Sequence, residues 1–424
     1  MNILVVGGGG REHAIVKKLR ENSEVKRIFC LPGNGGMEQI ADCVPISAKE
    51  LDGVIEFARA HDIDFAVVAQ DDPLALGCVD RLHALGIPCF GPDAQAARIE
   101  SSKVFAKDLM KKYGIPTADY QVFDAPEAAL AYLDEAAYPL VIKADGLALG
   151  KGVVICQDRR QAGDAIGQIM EQRAFGEAGS RVLIERFLTG PEVSVLAFTD
   201  GKTICPMVSS MDHKRAGEGD TGPNTGGMGT VAPNPYYSPQ VAQQCMERIF
   251  LPTIRAMEAE GCPFKGCLYF GLMLTEEGPM VIEYNCRFGD PEAQVVLPLL
   301  KTDLLSIMQA VEGETLDRIN IEWSQGAAAC VILASGGYPG SYETGKRITI
   351  PEQLPENVTI YHAGDKLTLD GLVTSGGRVL GVTATADTLS QALESAYAAA
   401  QTIHFEGMFL RKDIGRHALA LLED

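Results

Sequence analysis

Short runs of consecutive hydrophobic residues alternate with glycine-rich turns and helical patterns over the first hundred residues. These runs lie at 3–6, 26–31, 65–69 and 87–90. Strands that are buried on both faces have such continuous hydrophobic stretches, and alternation with helices is typical of a parallel sheet. The pattern therefore predicts a doubly wound parallel α/β domain at the start of the chain.

The pattern changes after residue 97, where strands and helices of more varied length follow one another. We predict strands at 120–123, 140–143, 153–156, 182–185, 193–198, 268–274, 280–285 and 329–334. We predict helices at 97–112, 126–135, 239–260 and 291–311, and another that begins at residue 159. The polar, glycine-rich stretch 212–229 is predicted to be a long loop without secondary structure. Together these elements indicate α+β units after the α/β domain.

Composition and charge narrow the class of protein. The chain has 424 residues, 46% of them hydrophobic, and a net charge of −19. This charge argues against nucleic acid or an anionic membrane as a partner, and the hydrophobic runs are too short to span a membrane. The 11 cysteines include no CxxC pair, which is typical of reduced cysteines in the cytosol. No basic, apolar leader precedes the first strand, so we expect a cytoplasmic protein.

The stretch IKADGLALGKGV at 142–153 is the main candidate for chemistry. A strand that ends in Lys143 leads into a loop with three glycines and Lys151, and backbone N–H groups in such loops can surround an anion. The spacing differs from that of a Walker loop. The pattern favours a site for nucleotide phosphates, but a glycine-rich hairpin between two strands would look similar, and Lys143 could extend to solvent.

Glu283 and Asn285 lie two residues apart on a predicted strand, so their side chains share one face. A carboxylate and an amide oxygen suit Mg²⁺, which otherwise keeps water and phosphate ligands. Arg287 continues the alternation and could bind a carboxylate or phosphate. The alternative is an ordinary polar strand face.

Two glycine-rich turns, at 7–10 and 32–36, follow the first two strands and suggest a phosphate or sugar site. A dinucleotide site is disfavoured because Glu12 stands where the GxGxxG motif needs glycine. Glu185 and Glu192 bracket an apolar turn that could meet a nucleoside, although both could equally be solvated. The run TGPNTGGMG at 221–229 keeps backbone open to a small ligand.

In their order along the chain and in their amino-acid sequences, these motifs resemble those of the phosphoribosylamine–glycine ligase family of the ATP-grasp superfamily. The matching segments are GGREH at 9–13, PGN at 32–34, GP at 91–92, SK at 102–103, KADGLALGKGV at 143–153, DHKR at 212–215, TGPNTGGMG at 221–229, VIEYNCRFGDPE at 281–292, ASGGYPG at 334–340, GGRVL at 376–380 and RKDIG at 411–415.

The resemblance implies a fold and a reaction. It implies an N-terminal Rossmann-like parallel-sheet domain at 1–103, an ATP-grasp core at 104–325 with a lid at about 120–190, and a C-terminal α+β domain at 326–424. The implied reaction joins glycine to 5-phosphoribosylamine through glycyl phosphate, giving glycinamide ribonucleotide, ADP and phosphate in de novo purine biosynthesis. We expect a monomer with ATP and Mg²⁺ or Mn²⁺ as cofactors and no nucleic-acid or membrane partner.

The resemblance also assigns residues. The expected ATP-binding set is Lys103, Lys143, Asp145, Gly146, Gly150, Lys151, Gly152, Glu185, Phe187, Leu188 and Glu192. The expected substrate-binding set is Gly9, Gly10, Arg11, Gly33, Asn34, Asp212, His213, Lys214, Asn224, Thr225, Gly226, Gly227 and Arg287. Lys143, Asp212 and Arg287 are expected to be catalytic, and Glu283 and Asn285 to bind the metal.

The chain departs from the family pattern at a few positions. Gly8 stands where the family commonly has Asn, Leu149 where Ala is common, and AQDDPL at 69–74 replaces GPExPL in the region expected to face phosphoribosylamine. Strand 266–274 carries no acidic residue, so the metal would depend on Glu283, Asn285, phosphates and water. Another ATP-grasp ligase or carboxylase, a nucleotide sensor and a dehydrogenase are the alternative functions; the last is disfavoured by Glu12 and the Pro32 loop.

Overall fold

A computed structural model describes residues 1–147 and 152–423 of the chain. The predicted loop residues Gly150 and Lys151 lie outside the described residues, as does Leu149. Within the described ranges, every helix is too short or too polar to cross a lipid bilayer.

The first hundred residues form the predicted parallel sheet. Its strands, in the order β3-β2-β1-β4-β5, are β1 (Asn2–Gly7), β2 (Arg27–Pro32), β3 (Asp42–Cys43), β4 (Phe65–Val68) and β5 (Cys89–Phe90). Its helices are α1 (Gly10–Leu19), α2 (Leu51–Ala60), α3 (Asp71–Ala75), α4 (Cys78–Ala84) and α5 (Arg98–Ser101). The strand order reverses between β1 and β4, and ligands bind in the crevice at the carboxyl ends of strands at such a point. The turns after β1 and β4 flank this crevice.

A second, antiparallel sheet follows, with the order β6-β9-β7-β8, and we call it the small sheet. This region comprises α6 (Lys103–Tyr113), β6 (Tyr120–Phe123), α7 (Pro126–Tyr132), β7 (Leu140–Ala144), β8 (Val153–Cys156), α8 (Arg159–Ile166) and β9 (Val182–Arg186). The predicted single helix 97–112 is wrong, because the chain is extended at Ser102. The Ser102 hydroxyl accepts a hydrogen bond from Phe105 N and begins α6 as its N-cap.

The core sheet has the order β11-β10-β16-β17 and is antiparallel. Its strands are β10 (Glu192–Asp200), β11 (Ile204–Pro206), β16 (Lys265–Thr275) and β17 (Gly278–Asn285). Helices α9 (Pro239–Cys245) and α10 (Leu251–Ala259) are joined through a helical turn at 246–250, so the predicted helix 239–260 is confirmed.

The segment predicted as a loop contains four short strands, so that prediction is wrong. They are β12 (Met211–Asp212), β13 (Arg215–Gly217), β14 (Thr221–Asn224) and β15 (Gly229–Ala232). Strands β13 and β14 pair with each other as a hairpin. Strands this short and rich in glycine have little intrinsic β-propensity. Pairing stabilises them: β12 pairs with β15, and β15 also pairs with β18 from the later part of the chain.

The last part of the chain builds a sheet with the order β12-β15-β18-β22-β19, with β23 paired to β18. The helices and strands in this last part of the chain are α11 (Ala293–Val296), α12 (Leu304–Glu312), β18 (Ala327–Ser335), β19 (Val358–His362), β20 (Asp365–Thr368), β21 (Gly371–Thr374), β22 (Arg378–Ala386), α13 (Leu389–Ala400), β23 (Met408–Phe409) and α14 (Arg416–Glu423). Strands from before and after residue 326 thus share one sheet, the C-terminal sheet. The predicted helix 291–311 is also wrong, because the chain becomes extended at Leu300 after Pro298.

Candidate active site

Lys143 links the small sheet to the core sheet. Its Nζ lies 3.0 Å from Glu185 Oε2 on β9 and donates to the carbonyl of Ile282 on β17 at 3.0 Å. The Lys143 side chain is buried rather than extended to solvent. Burial alone would raise the pKa of Glu185, but Lys143 and Lys107 hold it below its ordinary value. Glu185 is therefore ionised, and it neutralises lysine charge at the entrance to the cleft.

Lys103 and the first residues of the glycine-rich loop lie at the start of α6. Lys103 Nζ donates to the Gly146 carbonyl at 2.8 Å. Asp145 accepts from Val104 N at 3.1 Å and from Arg181 at 2.5 Å, so it fixes the helix start against the small sheet. The Gly152 carbonyl accepts from Ala144 N at 2.8 Å and closes the base of the loop.

A small hydrophobic cluster lies beside the end of β9. It consists of Ala118, Leu188 and Met280, with Met273 partly buried against them. Phe187, the residue between Arg186 and Leu188, is half-buried. An apolar surface next to the buried Glu185 has the character of a site for a planar base, which needs hydrophobic contact and a few polar groups at its edge.

Glu283 lies on β17 among positive charges. Burial would raise its pKa, but Lys214, Lys143, Lys103 and Arg287 lower it below the ordinary value. The nearest of these for which a contact is seen, Lys214 Nζ, is 3.9 Å from Glu283 Oε1. Four cations from separate parts of the fold thus converge on one ionised carboxylate, which suits a polyanionic ligand that brings a divalent cation.

Glu283 and Asn285 alternate along β17 as predicted, but Arg287 lies beyond the strand, which ends at Asn285. Arg287 Nη2 donates to Asn285 Oδ1 at 3.1 Å and to Glu100 Oε1 at 2.8 Å. Arg287 Nε is buried and finds no acceptor among the described residues. Asp71 also faces this arginine: Arg287 and Arg11 hold the pKa of Asp71 below its ordinary value against the effect of burial.

Glu283 and Asn285 offer the hard oxygens that a divalent cation prefers, and Glu283 is one-third exposed. Within the described part of the chain, no three His, Cys, Asp or Glu side chains form a group that could hold a metal ion by themselves. The pair therefore fits Mg²⁺ only as part of a shell completed by phosphate and water oxygens.

Asp212 and Glu292 form a pair of neighbouring acidic groups. Burial and the charge of Glu292 raise the pKa of Asp212 well above its ordinary value. Asp212 Oδ1 is buried and accepts no hydrogen bond from any residue that the structure describes. Lys214, whose Nζ is 3.1 Å from Glu192 Oε2, faces the same space. This is an arrangement that a bound cation would complete.

The backbone of residues 225–227 packs closely on this acidic group. Gly227 has φ +115°, and a Cβ there would lie 2.5 Å from Asp212 Oδ1, so only glycine fits. Thr225 N donates to the Lys214 carbonyl at 2.8 Å. From β22, Arg378 donates to the carbonyl of Gly226 at 2.7 Å. Asn224, at the end of β14, lines an open cleft that also contains residues of β8.

His213 is a structural link rather than a free base. Its Nδ1 donates to the Gly229 carbonyl at 3.1 Å, and its Nε2 accepts from Gly415 N at 3.0 Å. Burial lowers the pKa of His213. The neighbouring Arg411 is 1% exposed and pairs with Asp220 and Asp413 at 2.8 Å each. Both contacts fasten the β13–β14 hairpin to the end of the chain.

The two N-terminal glycine-rich turns contact each other at the crevice. A Cβ on Gly8 would lie 2.4 Å from the Gly33 carbonyl oxygen, so the turns could not approach with Asn at this position without movement. Asn34 is buried and donates to the carbonyls of Gly8 and His362. Arg11 pairs with Glu12 at 2.6 Å, and its backbone N donates to Asp290.

The structure thus brings Lys103, Lys143, Lys214 and Arg287 near Glu283, and Asp212 next to Gly227 and Glu292. Asn224 lines a separate opening beside β8. Gly9 and Gly10 lie at the start of α1, with Gly10 packed on Gln294. Five residues at the site were not predicted: Asp71, Glu100, Lys107, Glu292 and Arg378. For Glu292 and Asp71 the sequence held a signal: Glu292 lies in the GDPE motif, and Asp71 lies in the AQDDPL segment at 69–74. The other contacts join positions far apart in the chain, so local patterns do not reveal them.

Comparison with known proteins gives a consistent result. Models of the phosphoribosylglycinamide synthetase N domain, ATP-grasp (A) domain and C domain match residues 1–100, 101–293 and 328–417. A phosphoribosylamine–glycine ligase from Caldanaerobacter subterraneus subsp. tengcongensis is 48% identical, covering 98% of this chain and 99% of that relative. One from Halalkalibacterium halodurans is 46% identical, covering 99% and 98%.

Comparison with solved structures agrees with the sequence comparison. A phosphoribosylamine–glycine ligase from Thermotoga maritima superposes with a TM-score of 0.87 at 35% identity, covering 98% of this chain and 100% of that one. A biotin carboxylase from Campylobacter jejuni, solved as a complex with β,γ-ATP, has a TM-score of 0.75 at 14% identity, covering 96% and 92%, and shares the fold.

Proposed function

This chain belongs to the phosphoribosylglycinamide synthetase family, and from that premise we propose how its residues carry out the ATP-dependent ligation of glycine to phosphoribosylamine. The chain is an ATP-grasp ligase of purine biosynthesis, as its relatives of near-identical length indicate. The observation that carries the residue-level proposal is the convergence of Lys103, Lys143, Lys214 and Arg287 on Glu283.

ATP lies along the cleft between the small sheet and the core sheet. Lys103 and Lys143 bind its phosphates: the Lys103 ammonium contacts the glycine-rich loop at Gly146, and the Lys143 ammonium lies between β9 and β17. The cluster around Leu188 contacts the base, and Glu185 and Glu192 lie at either end of the turn that would hold the nucleoside. Loop residues 145–152 are the proposed cover over the phosphates.

Glu283 and Asn285 hold the divalent cation, Mg²⁺ or Mn²⁺, together with the phosphates. Bound there, such an ion neutralises charge on the phosphates and orients them. Glu283 is ionised because four cations lower its pKa. Asn285 Oδ1 accepts a hydrogen bond from Arg287. The oxygen has a second lone pair, and it would use this pair to ligate the ion.

Glycine lies between the acidic pair and Arg287. Asp212 accepts hydrogen bonds from glycine's ammonium, whose positive charge completes the pair that Asp212 forms with Glu292. The guanidinium of Arg287 orients the carboxylate towards the γ-phosphate. Gly227 leaves the space that the ammonium needs, because any side chain there would meet Asp212.

Phosphoribosylamine lies at the N-terminal crevice, with its phosphate at the glycine-rich turns 8–10 and 33–36 and at Arg11. Asp71 and Asp290 face this crevice through their interactions with Arg11. Asp71 occupies the position of the Glu in the family's GPExPL motif, so the shorter carboxylate still faces the amine substrate.

The reaction then has two steps. A glycine carboxylate oxygen attacks the γ-phosphorus, the bond to the β-phosphate oxygen breaks, and ADP leaves glycyl phosphate behind. The ribosylamine nitrogen attacks the acyl carbon, phosphate leaves, and the nitrogen releases one proton as the amide forms. Positioning and charge neutralisation supply most of the rate enhancement in such transfers.

Release of ADP tests the function directly. We expect ADP only when ATP, glycine and phosphoribosylamine are all present, with omission of each in turn as the control. Equal release without glycine would contradict the proposal. Glycine labelled with ¹⁸O in its carboxylate tests the intermediate, because the label must appear in the phosphate that leaves; unlabelled phosphate would reject glycyl phosphate.

A further inference from the structure

The carboxylate of Glu185 is shared by two lysines that come from different elements. Lys143 reaches Glu185 Oε2 from β7 and Lys107 reaches the same oxygen from α6, each at 3.0 Å, and the three side chains are only 3–4% exposed. One carboxylate balances one ammonium, so the triad carries a net positive charge in a site nearly closed to water. Such a charge is costly unless an anion completes it.

Besides Glu185, the Lys107 ammonium contacts the segment that precedes β6, the first strand of the small sheet. Its Nζ donates to Thr117 Oγ1 at 2.8 Å and lies 3.5 Å from the Ala118 carbonyl. Thr117 Oγ1 in turn donates to the carbonyl of Val281 on β17 at 2.7 Å. The ammonium of Lys107 therefore has fixed protein partners. The ammonium of Lys143, by contrast, donates to the carbonyl of Ile282, the residue that precedes Glu283.

We propose that Lys107 is a positioning residue for ATP: it neutralises Glu185, so that the ammonium of Lys143 is free to bind the triphosphate. Without Lys107, Glu185 and Lys143 form a one-to-one ion pair in a dry site, and the phosphates must compete with that pair. The inference rests on the proposed placement of the phosphates at Lys143.

The titration of Lys107 makes the proposed role testable through the pH dependence of ATP binding. Burial lowers the pKa of Lys107 to about 8, although Glu185 opposes this. The other groups that face it are Lys143, Asp119 and the ring of Tyr120, whose centroid is 5.7 Å from Nζ. In the free enzyme the affinity for ATP should therefore fall as the pH rises through about 8 and Lys107 loses its proton.

Two substitutions separate charge from shape. In Lys107→Arg the charge persists throughout, because a guanidinium stays protonated far above pH 8; ATP affinity at neutral pH should stay within threefold of the unmodified protein, and the decline above pH 8 should disappear. In Lys107→Gln the hydrogen bond to Glu185 can persist without the charge, and the KM for ATP should rise by about tenfold or more. Lys112→Met, which removes an exposed lysine from the same helix, is the matched control.

The measurements are the KM for ATP, kcat, and binding of a non-hydrolysable ATP analogue across this pH range, with melting temperature as a check on folding. A folded Lys107→Gln protein with unchanged affinity, or a decline above pH 8 that persists in Lys107→Arg, would overturn the role of Lys107. Lys143→Met distinguishes this from failure of the premise: if it too binds the analogue normally, the phosphate site itself is misplaced.

Discussion

At the scale of single residues, the site contains two neighbouring acidic groups, Asp212 and Glu292, whose charged form is unfavourable. Asp212 is the clearest case, since burial and Glu292 both raise its pKa and one of its oxygens has no donor among the residues described. Functional groups of this kind are maintained at a cost in stability. Substitution should therefore move activity and stability in opposite directions.

We expect Asp212→Asn to lower kcat/KM for glycine by at least about 30-fold, the lower end of the effect of removing one partner of a buried charge pair. The same variant should melt at a higher temperature at neutral pH. The sign follows from linkage: a group whose pKa is raised by folding contributes stability below its unfolded pKa, and this contribution is lost as the pH rises through the folded pKa. Activity assays and thermal melts across pH test both parts.

Glu292→Gln is the informative companion to that variant. Removing the neighbouring charge should let Asp212 ionise at lower pH, so the rise of glycine affinity with pH should move to lower pH. An Asp212→Asn protein that melts at a lower temperature at every pH would contradict this account.

Glu283 carries the second residue-scale prediction. Glu283→Gln should lower kcat by about 100-fold, the scale of losing one charge-stabilising group, and should raise the Mg²⁺ concentration needed for half-maximal activity. Glu276→Gln, at the exposed β16–β17 turn, provides a control that should leave both quantities unchanged. Steady-state kinetics over a range of Mg²⁺ concentrations makes the test, and unchanged Mg²⁺ dependence would remove Glu283 from the site.

At the scale of elements, most of the long hydrophobic strands were predicted, whereas β19, β22 and the short polar strands were not. The parallel strands and the β16–β17 pair followed from apolar runs, because burial on both faces requires continuous hydrophobic residues. Strands β12 to β15 lie in a glycine-rich segment, and its strand β15 pairs with β18, about one hundred positions away. The helix breaks at Ser102 and Leu300 depended on capping and on pairing with Trp323, which hydrophobic periodicity does not register.

The same distinction holds for the site. Lys143, Glu283 and Arg287 could be selected because each stands at a strand end or shares a strand face. Lys107 could not, because its importance comes from its partner Glu185, which only the fold brings near.

Arg411 gives the element-scale prediction, since it holds the β13–β14 hairpin through Asp220, Asp413 and the Arg215 carbonyl. Arg411→Met should lower the free energy of unfolding by about 3 kcal/mol, as expected when one partner of a buried ion pair is removed. It should also raise the KM for glycine, because residues 224–227 continue from the hairpin. Lys412→Met, its exposed neighbour, should change neither value in denaturant unfolding and kinetic assays. Normal stability in Arg411→Met would show that the hairpin is held by other contacts.

At the scale of the whole molecule, the cleft is closed by contacts between distant parts of the chain. Arg378 donates to the carbonyl of Asp290 at 2.7 Å and pairs with its carboxylate at 3.4 Å. Asn34 reaches His362 from the N-terminal sheet. The proposed substrate sites are therefore formed jointly by the N-terminal part of the chain and the C-terminal sheet.

We expect a chain that ends at residue 325 to fail to fold cooperatively, because β15 would lose its partner β18 and the two-stranded remnant of β12 and β15 would have an exposed edge. Size-exclusion chromatography and circular dichroism should show aggregation or a broad melt. Co-expression with residues 326–424 is the control and should restore a soluble, active complex. A sharp melt for the shortened chain alone would contradict the prediction.

The sheet shared by β15 and β18 has a consequence for recombination between relatives. A chimera that exchanges the C-terminal portion at residue 326 would pair a foreign β18 with β15. An exchange that carries residues 211–232 with it keeps the β12–β15 and β15–β18 ladders within one parent. The segments that should be exchanged together in this protein are therefore discontinuous along the chain.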